Sequence, residues 1–391
     1  MADPGDGTAG GDWAVRLAQP PIQRLRAYDP GHDLVALRRV AGPGGLVELG
    51  SNENPYGPAP GVRAAAERAL AAAHVYPDPY GGDLKRALAA RHGVDVAQIV
   101  LGNGSHELLM QLGQVFAGPG VDVVFPQYGF AVFAIATAAA GANAVVVPAL
   151  PADAAMPRGH DLEALRAAVT PATRLLFIAN PNNPTGTWVG AGALARLLDA
   201  IPAHVVVVVD EAYAEIADAP DYASALSLLP RHPNLVVTRT FSKAYALAGL
   251  RVGYAIASAD VAAVLERVRE SFNVNAVALA AAEAALADEQ HLRTTCAENA
   301  RQRERLAAAL RERGWRVGPS QANFLLVDFG AHAAAVEAGL LRQGVVPRPM
   351  GGYDLPQCLR ISVGDAVGNR RLLATLDALG LAPEGGVDGG A

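Results

Sequence analysis

"HVVVVVDEAY", residues 204–213, runs five valines into two carboxylates and a tyrosine. A strand with one wet face would alternate apolar and polar side chains. An unbroken valine run fits a strand buried on both faces, the signature of a parallel sheet covered by helices. Asp210 closes the run. Burying an ionised carboxylate there is costly unless it is paired. Either a cation meets Asp210, or Asp210 caps the next helix.

The pattern continues in both directions. "QIVLG", "VDVVFP", "RLLFIAN", "LVVTRTFS" and "RVGYAIA" read as further strands, separated by Ala- and Leu-rich segments of helical period. This predicts an α/β fold: a large, doubly wound, mainly parallel sheet domain over residues 57–271. Beyond it the pattern changes to a long charged helix, then "ANFLLVDF", "GVVPRPM" and "CLRISVG". These predict a smaller α+β domain made of residues 21–56 plus 272–383. Residues 1–20 and 384–391 read as tails.

Bulk properties narrow the function. The 391 residues are 51% hydrophobic, enough for a large core, and carry a formal net charge of −6. That charge argues against nucleic acid or an anionic membrane as partner. Two cysteines, Cys296 and Cys358, make no disulfide framework and point to a cytoplasmic chain. "MADPGDGTAGGDW" lacks the basic and apolar regions of a signal peptide. Gly129 to Leu150 is uncharged and long enough to span a membrane, but "GAN" interrupts it. A helix, a glycine turn and a short buried strand, "AVVV", fit it better. The histidines show no metal-ligand spacing, so no metal site is expected.

Ligands of open α/β sheets bind beyond the carboxyl ends of the strands. There the chain carries Gly102-Asn103-Gly104-Ser105, Gln127-Tyr128, "PNNPTG", Asp210-Glu211-Ala212-Tyr213 and Phe241-Ser242-Lys243. "GNGSHE" lacks the third glycine of a dinucleotide fingerprint and is not a serine-hydrolase elbow. It is either a phosphate-holding turn at a helix N-terminus or a plain turn capped by serine. Lys243 sits among Thr238, Thr240 and Ser242, ahead of the apolar "AYALAGL" and Arg251. A desolvated lysine beside a cation has a lowered pKa and can act as a nucleophile. Arg251 can be that cation or a bidentate phosphate clamp. Arg239 is read as structural.

Together, "NPNNPTG", "DEAY" and "SKAYALAGLR", in this order, resemble the pyridoxal-5′-phosphate (PLP) enzymes of aminotransferase class I/II. The resemblance runs from about Tyr28 to Leu379. "SNENPYGP", "LGNGSHELL", "QYGFAVFA" and "LPQCLRISVG" look most like the histidinol-phosphate aminotransferases.

The resemblance implies catalytic roles for Lys243, Asp210 and Tyr213. Lys243 would form a Schiff base with PLP and then carry the proton in a 1,3-transfer. Asp210 would pair with the pyridinium nitrogen. Asn183 and Tyr213 would hydrogen-bond the ring O3′, and Tyr128 would stack on the ring. Gly104, Ser105, His106, Thr240, Ser242 and Arg251 would hold the phosphate. The Asn183–Pro184 bond is a cis candidate. Tyr28, Tyr56, Asn323, Arg348 and Arg360 would serve the substrate, Asn323 by positioning it or Arg360, and Tyr56 in the site of the other subunit of a homodimer.

The implied reaction is L-histidinol phosphate plus 2-oxoglutarate giving imidazole acetol phosphate and L-glutamate, in histidine biosynthesis. Alternatives on the same scaffold are an aromatic amino-acid aminotransferase, a PLP decarboxylase of an amino-acid phosphate, and a non-catalytic PLP-binding module. Two positions depart from the pattern: His106, where an acid or asparagine is common, and Ser271, where proline is usual.

Overall fold

The valine run forms the middle of the main sheet. The computed structural model describes residues 12–25, 31–40 and 44–382. Its strands, in chain order, are β1 (Val47–Glu48), β2 (Ile99–Gly102), β3 (Asp122–Pro126), β4 (Asn143–Val147), β5 (Thr173–Ala179), β6 (Val206–Asp210), β7 (Leu235–Thr240), β8 (Gly253–Ile256), β9 (Arg316–Val317), β10 (Phe324–Asp328), β11 (Val345–Val346), β12 (Arg348–Pro349) and β13 (Cys358–Ser362).

Seven strands make one sheet in the order β2-β8-β7-β6-β5-β3-β4. Val207 and Val209 join Leu176 and Ile178 in one core, while Val208 joins Leu175 and Phe177 in another. Successive residues of one strand therefore bury on opposite faces, which is why the run has no polar break. Pairing is parallel throughout except at β8, which is antiparallel to both β2 and β7. The chain from Phe241 to Val252 holds only a three-residue 3-10 turn. It is no crossover helix, so the strand must return antiparallel. One consequence matters for the site: the start of β8, at Gly253, lies at the same sheet edge as the ends of its neighbours.

Gly129 to Leu150 folds as a helix, Val132–Ala139, a turn at Gly141 (φ +74°) and β4. The expectation of a buried strand there is corrected. β4 is one of the sheet's two edge strands, and Val146 is 50% exposed. No helix among the described residues is long and apolar enough to cross a membrane.

A second sheet has the order β12-β13-β10-β9, all antiparallel. The helices Glu289–Glu312, Ala333–Arg342 and Ala366–Leu379 contribute to its apolar cluster. β1 pairs in parallel with β11, which joins the segment after residue 44 to this unit. The stretch read as an N-terminal tail, residues 1–20, holds the short helix Asp12–Leu17, and a second short helix, Pro20–Gln23, begins at its end. Residues 384–391 lie outside the described residues.

Candidate active site

A cavity of about 400 Å³ opens where the carboxyl ends of the main sheet meet the 50–53 segment and the second sheet. Its walls carry Ser105, His106, Asn183, Asp210, Tyr213, Thr240, Ser242, Lys243, Arg251, Arg348 and Arg360. Residues as distant in the chain as Ser105 and Arg360 thus share one space.

Asp210 is 4% exposed, at the end of β6. No helix follows it, so it is not a helix cap. Its Oδ1 accepts from Thr238 Oγ1 at 3.0 Å. Burial pushes its carboxyl up to about 7, with Glu211 adding to the rise and the Thr238 hydroxyl opposing it. A buried acid with so little support is built to meet a cation.

Lys243 faces the cavity, with Nζ donating to the carbonyls of Ser51 and Asn52, both at 3.1 Å. Burial, then Arg360 and Arg251, lower its amine to about 7, against the pull of Glu53. Near neutrality a large share of this lysine is the free amine, the form that attacks a carbonyl.

Around Arg251 the geometry is that of a cup for an anion. Arg251 itself is left-handed (φ +59°), and its Nη1 donates to Ser242 Oγ at 3.2 Å and Ala248 O at 3.0 Å. Thr240 Oγ1 donates to Ser242 Oγ at 3.0 Å. Opposite them is the N-terminus of the helix Ser105–Phe116. Gly104 has φ +79°, and a Cβ there would run into Arg251 Nη2. Only glycine leaves this space open. His106 lines the same cavity, and burial and Arg251 hold its imidazole below its usual pKa.

Arg360, on β13, donates from Nη1 to Asn183 Oδ1 at 2.6 Å and from Nη2 to Gly50 O at 2.5 Å. Its guanidinium lies 5.4 Å from the Phe324 ring centroid. Asn183–Pro184 is cis, as expected, and so is Asn180–Pro181. Tyr213 accepts from Asn52 Nδ2 at 3.0 Å, and burial raises its phenol pKa.

Two expected residues are placed differently. Tyr128 is not on the cavity wall. Its side chain packs with Leu326, Met350, Leu355 and Cys358, and Phe130 lines the cavity instead. Asn323 is also off the wall: its Nδ2 donates to Asn52 O at 3.0 Å, so it supports the 50–54 segment. Tyr56 is half-buried with a hydroxyl that no neighbour among the described residues meets, its pKa pushed up to about 12 by burial. Tyr28 lies outside the described residues.

Sequence reasoning missed Asn52. It is left-handed (φ +54°), takes the Lys243 ammonium on its carbonyl, and binds Ser362 Oγ through its N–H at 2.8 Å. The signal was present in "SNENPYGP", since asparagine tolerates that conformation best among non-glycine residues.

The donor set fits PLP. Asp210 can meet a ring cation, Lys243 an aldehyde, and the Gly104–Arg251 cup a phosphate.

Comparison with known proteins agrees. The model of the family Aminotransferase class I and II matches residues 45–376. The histidinol-phosphate aminotransferase 2 of Methylococcus capsulatus is 48% identical over 361 residues, covering 92% of this chain and 97% of that one. That of Pseudomonas aeruginosa is 48% identical over 93% of this chain and 97% of its own. Among solved structures, the histidinol-phosphate aminotransferase of Sinorhizobium meliloti, in complex with pyridoxal-5′-phosphate, superposes with a TM-score of 0.82. It is 34% identical and covers 93% of this chain and 97% of its own. The chain belongs to the aminotransferase class I and II family.

Proposed function

We propose that this chain is a PLP-dependent aminotransferase that moves an amino group between L-histidinol phosphate and 2-oxoglutarate, a step of histidine biosynthesis. One observation carries the reading: a lysine with a depressed pKa shares a cavity with a buried, poorly supported aspartate and three arginines, Arg251, Arg348 and Arg360. One phosphate, on the cofactor, accounts for Arg251. The other two arginines suit a substrate that carries an anion of its own, as histidinol phosphate and 2-oxoglutarate both do.

Bound PLP supplies an aldehyde that condenses with amines and a ring that accepts an electron pair. The protein does the rest. Asp210 holds a proton on the ring nitrogen. Lys243 Nζ, near neutrality in pKa, would move the proton between the substrate Cα and the cofactor carbon that carries the amino group. Asn183 and Tyr213 orient the ring oxygen, and Arg360, tied to Asn183, links anion binding to that orientation.

The active form is a homodimer in the cytoplasm. An exposed aromatic surface favours association: Tyr76 is 78% and Tyr80 68% exposed, and Tyr76 stacks on Phe272 at 4.5 Å. Tyr56 then reaches the partner's site. The two thiols are unpaired, as in a reducing compartment.

The test is a substrate panel on the holoenzyme with 2-oxoglutarate. Histidinol phosphate should outpace phenylalanine and tyrosine, and Arg360→Ala should raise KM for both anionic substrates. A preference for phenylalanine by orders of magnitude would sink the substrate assignment. CO2 release without consumption of the oxo acid would sink the transamination.

A further inference from the structure

The turn that would hold the cofactor phosphate has its own brace. Glu107, in the first turn of the helix Ser105–Phe116, accepts from the backbone N–H of Asn103. It also accepts from Asn273 Nδ2, at 3.2 Å on Oε1 and 3.0 Å on Oε2. The same Nδ2 donates to Leu101 O at 3.1 Å, and Asn273 Oδ1 accepts from Arg269 Nη1 at 3.0 Å. Arg269 in turn donates to Glu266, which also takes Lys85. Both hydrogens and the oxygen of one amide are used, a combination neither a carboxylate nor an apolar side chain reproduces. Ser105 and His106 line the cavity but Glu107 does not. Its charge is directed to the brace while its neighbours face the ligand.

We infer that Glu107 and Asn273 are a positioning pair that holds the 101–105 turn in the shape that accepts the phosphate of the cofactor. The inference rests on the PLP reading above. Asn273 sits on the segment that leads from the large sheet to the helix Ala276–Ala287. The brace therefore ties that crossover, which carries Ser271, to the phosphate turn.

The experiment titrates the cofactor-free chain with PLP and with pyridoxal, which lacks the phosphate, following the absorbance of the Lys243 adduct. In Asn273→Asp a carboxylate faces Glu107 and the Leu101 carbonyl with no proton to give. PLP affinity should fall about tenfold or more while pyridoxal affinity stays within about twofold. Glu107→Gln alone should weaken PLP in the same direction. The double variant Glu107→Gln/Asn273→Asp reverses the polarity of the bond. The amide nitrogen introduced at position 107 donates to the carboxylate introduced at position 273, and the amide oxygen still accepts from Asn103. This variant should recover part of the PLP affinity, since the Leu101 carbonyl still lacks its donor. Retained pyridoxal binding also proves the pocket folded. Equal losses for PLP and pyridoxal, or a double variant no better than Asn273→Asp, overturn the inference. A wild-type chain that binds PLP no better than pyridoxal overturns the cofactor reading instead.

Discussion

Asp210 and Glu211 are neighbours at the end of β6, both acidic and both buried, at 4% and 0% exposure. Strand geometry sends them to opposite sides, and the two sides treat them differently. Asp210 faces the cavity, with the Thr238 hydroxyl as its one side-chain donor among the described residues. Glu211 faces away and is saturated. Arg239 reaches its Oε2 through Nη2 at 2.7 Å and Nε at 3.1 Å, Ser224 Oγ donates at 2.7 Å, and Ala225 N–H at 2.5 Å. Arg239 also holds Glu215 at 3.0 Å. An acid that serves the fold comes with its cation. An acid that serves a ligand is left for the ligand to complete.

The comparison breaks first if the two acids can be exchanged in effect. Asp210→Asn should lower turnover on the order of 10³-fold, because an amide cannot hold the proton on the ring nitrogen. Unfolding of the cofactor-free variant should come no earlier than in wild type. Steady-state kinetics and a thermal melt check both halves. Full activity in Asp210→Asn would remove Asp210 from the chemistry.

Glu211→Gln should do the reverse. It leaves Arg239 buried with Glu215 as its remaining charge partner, and should cost about 3 kcal/mol of unfolding free energy by denaturant titration. The kcat of the folded, PLP-loaded enzyme should hardly move. A large kcat loss at unchanged stability would mean Glu211 acts on the site directly.

Much of this was legible in the chain. The valine run and the polar residues at the strand ends predicted the layered sheet and the cofactor side of the cavity, because motif and structure are local there. "SKAYALAGLR" carries its lysine and arginine on one loop. The other side was harder to read. Asn52 and Asn323 meet only through tertiary packing, so no spacing announces that Asn323 supports a backbone carbonyl. Tyr128 failed for a related reason. An apolar cluster in the second sheet competes for its ring, and nothing near Tyr128 in sequence encodes Met350 or Leu355. Arg239 reads as structural in the sequence, and its partner Glu211 is hidden inside the "DEAY" motif beside Asp210.

A smaller effect sharpens the comparison at the sheet edge. Gly253, opening the antiparallel strand β8, packs directly on the phosphate turn. A Cβ there would lie 2.5 Å from Ser105 N, 2.7 Å from Gly104 C and 2.8 Å from Arg239 O. All three are backbone atoms that cannot swing aside. Gly253→Ala should cost about 2 kcal/mol of stability and weaken PLP more than pyridoxal. Wild-type behaviour in both measurements would show that the edge is softer than its contacts imply.

The last difference is one of pH. Asp210 has a folded-state pKa raised to about 7 from 3.8. The folded chain therefore holds a proton that the unfolded chain has released between these values. Stability must fall as pH rises through that window and level off above it. Glu211 drops out of the comparison, because it is present in both wild type and Asp210→Asn. Subtracting the two melting curves isolates Asp210. In cofactor-free protein, the advantage of Asp210→Asn over wild type should grow from about pH 4 to about pH 7 and then stay flat. The rise should be at most a few kcal/mol, about 1.4 kcal/mol for each pH unit of the window. With PLP bound, the ring cation pairs with the carboxylate and favours its ionised form, so the advantage should vanish or reverse. A difference that is flat in pH without cofactor would mean that Asp210 already has its partner inside the protein, as Glu211 does.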